Sequence, residues 1–428
     1  MQQYPQREWL NDEVHARPHV ELHAPEQLSY LALLVNREER ERENDHLHGL
    51  CRHFNITNEL TDKRRGLFAD LGKFRLKVER HEEFTSYMFF RPCRPETLFD
   101  NPVSGSLPQE WLDNLPGQLL VAAQVAIVPG SGQVLDTTPQ GLSALFSGNR
   151  VIGAKIAAGA GEAFTDFRIA EDGYSRFLIF THQLSSGQAG RAMQRLLEIE
   201  TYRMMALLAL PEARPLLPAL KEADAQLVKI TAALDDETCE SDERLLEQLT
   251  DLAGVIENRI SATYARFNAT RNYASLVDIR LEELREARIE GLPTFSEFLN
   301  RRLNPAMRTC DAVDNWLHQL SKRIGHANQL LRTRIDVRRE QQNLELLRQL
   351  NRRSEIQLRL QQTIESLSVA AITYAAVSLV GLVMNGLKSL GLPVNADLIM
   401  AMSIPVIGYL VYLGAGFLRE AFKQDSGS

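Results

Sequence analysis

The sequence predicts an α+β N-terminal domain, then an all-α domain with a long stalk helix, then a C-terminal two-helix transmembrane hairpin. Three observations point that way. Short apolar segments of alternating polarity fill the first 185 residues. Beyond Ser186 the apolar spacing turns helical and turn residues become scarce. Near the C-terminus two segments of 22 and 21 residues carry no charge. The expected boundaries are an α+β domain over 1–185, a helical domain over 186–303 and a stalk over 304–365. Transmembrane helices over 366–387 and 398–418 then flank a short outer loop, 388–397, before a cytosolic tail, 419–428.

In the first domain, strands are expected over 28–36, 73–80, 84–90, 118–128, 150–158, 163–170 and 174–181. Phe74, Leu76 and Val78 alternate with polar neighbours, the period of a strand with one buried face. Glu171-Asp172-Gly173 reads as a hairpin turn between the last two. Helices are expected over 45–54 and part of 57–71. Such short spacings favour a largely antiparallel or mixed sheet over a doubly wound one.

In the helical domain, AGRAMQRLLEIETYRMMALLAL runs to Pro211, a second helix follows Pro218 to Leu234, and a third runs from near Ser241 to about Glu290. Gly291-Leu292-Pro293 is a stop, and Thr294 is placed to cap the short helix after it. A further helix starts at Asn304-Pro305, with proline at a position that needs no N–H. Continuous through Leu387, it would be about 125 Å long at the standard rise. Val313, Leu317, Leu320, Ile324, Ala327 and Leu331 form a coiled-coil seam, which turns polar over 338–343 and resumes at Leu347, Leu350, Leu360, Ile364 and Leu367. A seam of this length needs other helices of the chain or other copies to cover it.

Each uncharged segment can cross a hydrocarbon core of roughly 30 Å. Arg348, Arg352, Arg353 and Arg359 precede the first span, and Arg419 and Lys423 follow the second, while the loop between offers only Lys388. The positive-inside rule puts both termini in the cytoplasm, in an inner-membrane protein with two spans. The expected partners are the lipid bilayer and further copies of the chain. A net charge of −7 and the absence of a basic stripe with interleaved aromatics argue against nucleic acid.

No catalytic constellation is legible, so the chain does not read as an enzyme, and no cofactor is expected. Cys51, Cys93, Cys239 and Cys310 form no C-x-x-C pair and read as reduced thiols. The N-terminus has no apolar core of a signal peptide. His15, His19, His23, His46, His48 and His53 cluster in sequence, but they lack an ordered set of carboxylate or cysteine partners for a metal. The acidic run 235–243 reads as a solvated loop before a helix, and Gly130-Ser131-Gly132 does not complete a phosphate-binding fingerprint. The most specific pattern is on the first span. Tyr374, Ser378, Gly381 and Asn385 share one helical face, which is either a small-and-polar packing face or the lining of a pore formed by a ring of copies. In a ring, the Asn385 amide oxygens would suit a hydrated divalent cation such as Mg²⁺.

Two resemblances rest on these residues. Leu10 to Pro18 (LNDEVHARP), together with RLLEIETYRMMALLALP at 195–211 and the C-terminal hairpin, resembles an uncharacterised bacterial family of predicted membrane-anchored proteins. The order of parts, most closely over 305–428, is similar to that of CorA-type magnesium channels, pentamers whose first span ends in Gly-Met-Asn. That resemblance implies an ion-selecting role at the pore entrance for Asn385, with Met384 beside it, and a pore lined by Gly381, Ser378 and Tyr374. Val383 stands in place of the family's glycine, and Lys388 lies where its loop is acidic. Two functions follow as expectations: an oligomeric channel or transporter for a divalent cation, or a membrane-anchored scaffold or sensor that binds a cytosolic partner.

Overall fold

The structure, a computed structural model, describes residues 3–15, 19–56, 66–94, 98–130, 135, 138–235, 242–389 and 396–425. The chain forms two compact units, residues 1–328 and 329–428.

The first unit is built on one nine-stranded sheet: β1 (Glu26–Leu34), β2 (Gly66–Asp70), β3 (Arg75–Arg80), β4 (Phe84–Pro92), β5 (Gln118–Val128), β6 (Ile152–Ile156), β7 (Gly161–Ile169), β8 (Ser175–Phe180) and β9 (Ala287–Arg288). Its order is β2-β3-β4-β1-β5-β8-β7-β6-β9. Neighbours are antiparallel except β5 and β8, which run parallel. The sheet is therefore mixed, as the short spacings imply. The described residues form ten α-helices: α1 (Arg7–His15), α2 (Arg37–His53), α3 (Gln109–Asp113), α4 (Pro139–Leu145), α5 (Ser186–Leu207), α6 (Leu210–Asp235), α7 (Asp242–Leu284), α8 (Phe295–Arg302), α9 (Asn304–Ser389) and α10 (Ala396–Asp425).

Both faces of the sheet are covered, so successive side chains of a strand enter different cores. Leu28, Tyr30 and Ala32 of β1 pack with Leu196, Leu197 and Met193 of α5. Leu31 and Leu33 of the same strand pack on the other face with Leu47 and Leu50 of α2 and with Trp111. The Tyr30 hydroxyl bonds Thr201 Oγ1 at 2.8 Å and ties α5 to the sheet. On the α5 side, Lys77 and Glu79 are buried as an ion pair 2.8 Å apart. At Gly190 the backbone of residue 20 comes so close that a Cβ would lie 1.8 Å from the Val20 carbonyl oxygen.

The expected hairpin turn is present: Gly173 adopts φ 83° and Asp172 Oδ1 accepts from the Tyr174 amide. So is the cap at Thr294, whose hydroxyl accepts from the Glu297 amide while Glu297 reaches back to the Thr294 amide. Four elements differ from the sequence reading. Of 57–71, part of which the sequence predicts as helix, residues 57–65 lie outside the described residues and Gly66–Asp70 is a strand, paired Leu67 to Val78 and Ala69 to Leu76. Its local pattern is too short to separate the two periods, and pairing with β3 decides. Helix α2 starts at Arg37 rather than 45, because Asn36 and Glu39 form a capping box. Helix α6 starts before Pro215 and Pro218 rather than after Pro218. Helix α7 stops at Leu284, where Arg285 takes φ 48°, and the chain then adds Ala287–Arg288 to the edge of β6.

Helix α9 begins in the first unit. Val313, Leu317, Leu320, Ile324 and Ala327 are buried, the first half of the expected seam. Arg271 of α7 holds Asp314 at 2.8 Å, and Arg323 pairs with Asp224 of α6. In the second unit every side chain from 341 to 368 is exposed. The apolar C-terminal part of α9 is the one helix among the described residues that is long and apolar enough to cross a membrane, and only 11% of its apolar window is buried; Leu398–Gly414 of α10 is a shorter apolar segment.

Candidate functional site

The face singled out by the sequence lies on α9 where it packs against α10. Gly381 is buried, and a Cβ there would meet Met400 Sδ at 2.5 Å. A Cβ on Gly408 would lie 3.7 Å from Thr373 Cγ2, so the two helices run antiparallel with small residues at their contact. Ser378 and Met384 are half-buried, and the Ser378 hydroxyl bonds back to the Tyr374 carbonyl at 2.8 Å. Tyr374 and Asn385 are exposed. The four residues do share a side of the helix, but its centre, Gly381, is occupied by the neighbouring helix of the same chain. Residues 390–395 of the connecting loop lie outside the described residues.

The other motifs stay apart. Among the described residues no three His, Cys, Asp or Glu side chains come together to hold a metal. The His46 ring stacks on Trp111 at 4.6 Å, and its Nε2 lies 2.9 Å from the Trp111 carbonyl. Burial lowers its pKa, opposed by that hydrogen bond. His19 faces Arg191, and burial first, then Arg191, lowers its pKa. Cys51, Cys93 and Cys310 are free thiols, and burial pushes Cys93 up to about 11. Cys239, most of the acidic run 235–243 and Ser131-Gly132 lie outside the described residues.

The first unit contains a cavity of about 890 Å³ that the sequence reading missed. It is lined by Arg150, Arg168, Arg203, Arg288, Arg301 and Arg302. Against them stand three carboxylates, Asp166, Glu290 and Glu297, so the site is cationic. Its wall is made by an irregularity in β7, where the register with β8 shifts between Thr165 and Ile169. Phe167 adopts φ 52° there, a conformation that bulky L residues rarely take. Two local bonds hold it: the Phe167 amide donates to Thr165 Oγ1 at 3.2 Å and the Arg168 amide to Asp166 Oδ1 at 3.1 Å. Asp166, Phe167 and Arg168 consequently all line one cavity, which three successive residues of a regular strand could not do.

The floor is aromatic. Phe167 and Phe298 stack with centroids 5.2 Å apart, and Arg203 lies over the Phe167 ring at 5.1 Å. Arg203 is also held by both Glu200 oxygens at 2.6 Å. Arg288 pairs with Glu297, whose carboxyl is held below its ordinary range first by the Thr294 amide and then by Arg288 and Arg301. Asp166 Oδ2 accepts from Asn149 at 2.9 Å. Arg150, Arg168 and Arg302 make no side-chain hydrogen bond or ion pair with any described residue. Their guanidinium groups are exposed donors around an apolar floor, an arrangement that suits an anion.

These arginines come from the loop before β6 and from β7, α5, β9 and α8, elements far apart in the chain. The one local signal available was Arg301-Arg302 at the end of α8, just after the Gly291-Leu292-Pro293 stop.

No curated protein matches the chain. A family model described as a protein of unknown function, DUF3422, matches residues 2–422. With nearly its whole length matched, the chain belongs to the DUF3422 family.

Proposed function

We propose that the chain is an integral protein of a cytoplasmic membrane, held by a hairpin of α9 and α10, with residues 1–328 in the cytoplasm as a ligand- or partner-binding body. The observation that carries this reading is the exposure of large apolar side chains on the C-terminal part of α9 and on α10. Leu379, Leu382 and Val383 are 62%, 69% and 57% exposed, and Met402, Tyr409 and Tyr412 are 68%, 64% and 68% exposed. Each such side chain removed from water contributes about 1.5–3 kcal/mol. A row of them on two packed helices favours a lipid environment over water. Basic residues before the first helix and after the second support a cytoplasmic placement of both termini.

The test is fractionation of cells making the full chain. The protein is expected to stay in the membrane pellet through an alkaline carbonate wash and to leave it in detergent; recovery in the carbonate supernatant would refute insertion. A membrane-impermeant maleimide applied from outside is expected to label Lys388→Cys and spare Gln424→Cys, and the reverse pattern would refute the orientation.

A second reading, conduction of a divalent cation by a pentameric ring of hairpins, is favoured by the exposure of Tyr374 and Asn385 on one side of α9. Burial of Gly381 against Met400 supports the anchoring reading instead. Mg²⁺ flux into liposomes carrying the purified protein would decide between them. The conducting reading requires flux in the parent and a sharp loss in Asn385→Ala.

A further inference from the structure

We propose that the arginine-lined cavity beside β7 binds a small molecule that carries a phosphate monoester on an apolar stem. Three features of the site lead to this ligand class. The first is charge. Arg203 and Arg288 are engaged by Glu200 and Glu297, and Asp166 by Asn149 and the Arg168 amide. Arg150, Arg168 and Arg302 remain without a partner among the described residues, as does the carboxylate of Glu290. Six guanidinium groups against the carboxylates of Asp166, Glu200, Glu290 and Glu297 leave a net charge of about +2, which is what neutralises a dianion. Guanidinium groups hold phosphate oxygens through paired N–H donors, a geometry in which they surpass lysine.

The second is shape. A cavity of about 890 Å³ falls in the range of small-molecule sites. The stacked pair Phe167 and Phe298, with Leu207 and Leu303 beside it, gives the ligand an apolar surface to lie on. The third is construction. Phe167 and Arg168 reach the cavity together because the strand departs from regular geometry, at an unfavourable backbone angle fixed by the Thr165 and Asp166 side chains. Strain of this kind gathers at binding sites, where the surroundings hold it in place.

Such a group could come from a free phosphorylated metabolite or from an anionic lipid headgroup. The shared chemistry is tested first, with the full chain in detergent, by calorimetric titration with phenyl phosphate, benzoate and inorganic phosphate. Phenyl phosphate is expected to bind at least tenfold more tightly than either of the others, because only it offers both the dianion and the ring. Arg168→Ala combined with Arg302→Ala is expected to weaken it at least tenfold, and Arg214→Ala, on the exposed surface of α6, to leave it unchanged. Both altered arginines are exposed, so the variant should unfold at the parent's temperature. Equal binding by the double variant, or benzoate binding as tightly as phenyl phosphate, overturns the proposal. Nanodiscs of phosphatidylcholine with and without phosphatidic acid then separate the sources. Competition by phosphatidic acid identifies the headgroup and its absence identifies a free metabolite, and both outcomes support the site. Because the titration is done in detergent, its failure is distinct from a failure of membrane insertion.

Discussion

Over residues 313–327, α9 turns Val313, Leu317, Leu320, Ile324 and Ala327 inward, none more than 5% exposed. Farther along the same helix, Leu347, Leu350, Leu360, Ile364 and Leu367 stand 57–73% exposed. Both stretches carry apolar residues at helical spacing. The spacing decides which side of a helix can be covered, and the presence of neighbours decides whether it is. In the first stretch α6 and α7 supply that cover, tied by the Arg271–Asp314 and Arg323–Asp224 pairs. In the second no described residue supplies any.

The comparison can be broken most directly by removing a leucine from each stretch. Leu317→Ala should cost about 2–5 kcal/mol, the range for a fully buried leucine, whereas Leu347→Ala should stay within about 0.5 kcal/mol in the monomer. Denaturant unfolding of both variants checks this, and equal losses would mean that the exposed stretch is covered. A charge in the apolar window sharpens the contrast. Leu379→Arg should disfavour insertion by about 2.5–3.5 kcal/mol, which a falling membrane-to-supernatant ratio would record, while Leu347→Arg should leave that ratio unchanged.

Smaller effects separate the regions further. Asn36→Ala removes a helix cap and should lower stability by about 1 kcal/mol, seen as a reduced melting temperature of the sheet-containing unit with the signal of residues 329–428 unaltered. The pH response should also be regional. Burial holds the folded His46 pKa below its ordinary 6.5, so the neutral ring is the form the fold favours. Its contribution is complete above pH 6.5 and is lost as the pH falls toward and through the folded value. No histidine lies beyond residue 326, so this step belongs to the first unit alone. A melt series from pH 8 to 5, with His46→Gln as control, should show a shallower decline in the variant.

Much of the sheet was legible because its strands are long enough to declare a period: β5 falls on the expected 118–128, and Leu76 and Val78 pack into one core as their alternation implies. The five-residue β2 was not, since so short a segment takes its conformation from its partner. The cavity was almost wholly hidden. AFTDFRIA reads as an ordinary strand, and nothing local announces that Phe167 takes a positive φ. Nor does spacing say that Arg150 and Arg302 meet, because tertiary topology alone brings them together. The small face of α9 was legible as a face, but which of its two uses applies depends on what packs there, and Met400 covers Gly381.

Strand β9 completes the sheet late. The open side of β6 receives Ala287 and Arg288 only after α5, α6 and α7 have been synthesised. Until then a nascent chain displays an unpaired row of amides and carbonyls, the kind of border through which partly made proteins stick to one another. The same arrival delivers Arg288 and, shortly after, Arg301 and Arg302 to the cavity. The residues that close the border and those that complete the cationic wall thus lie within one short stretch, and a chain cut short before Ala287 would have neither.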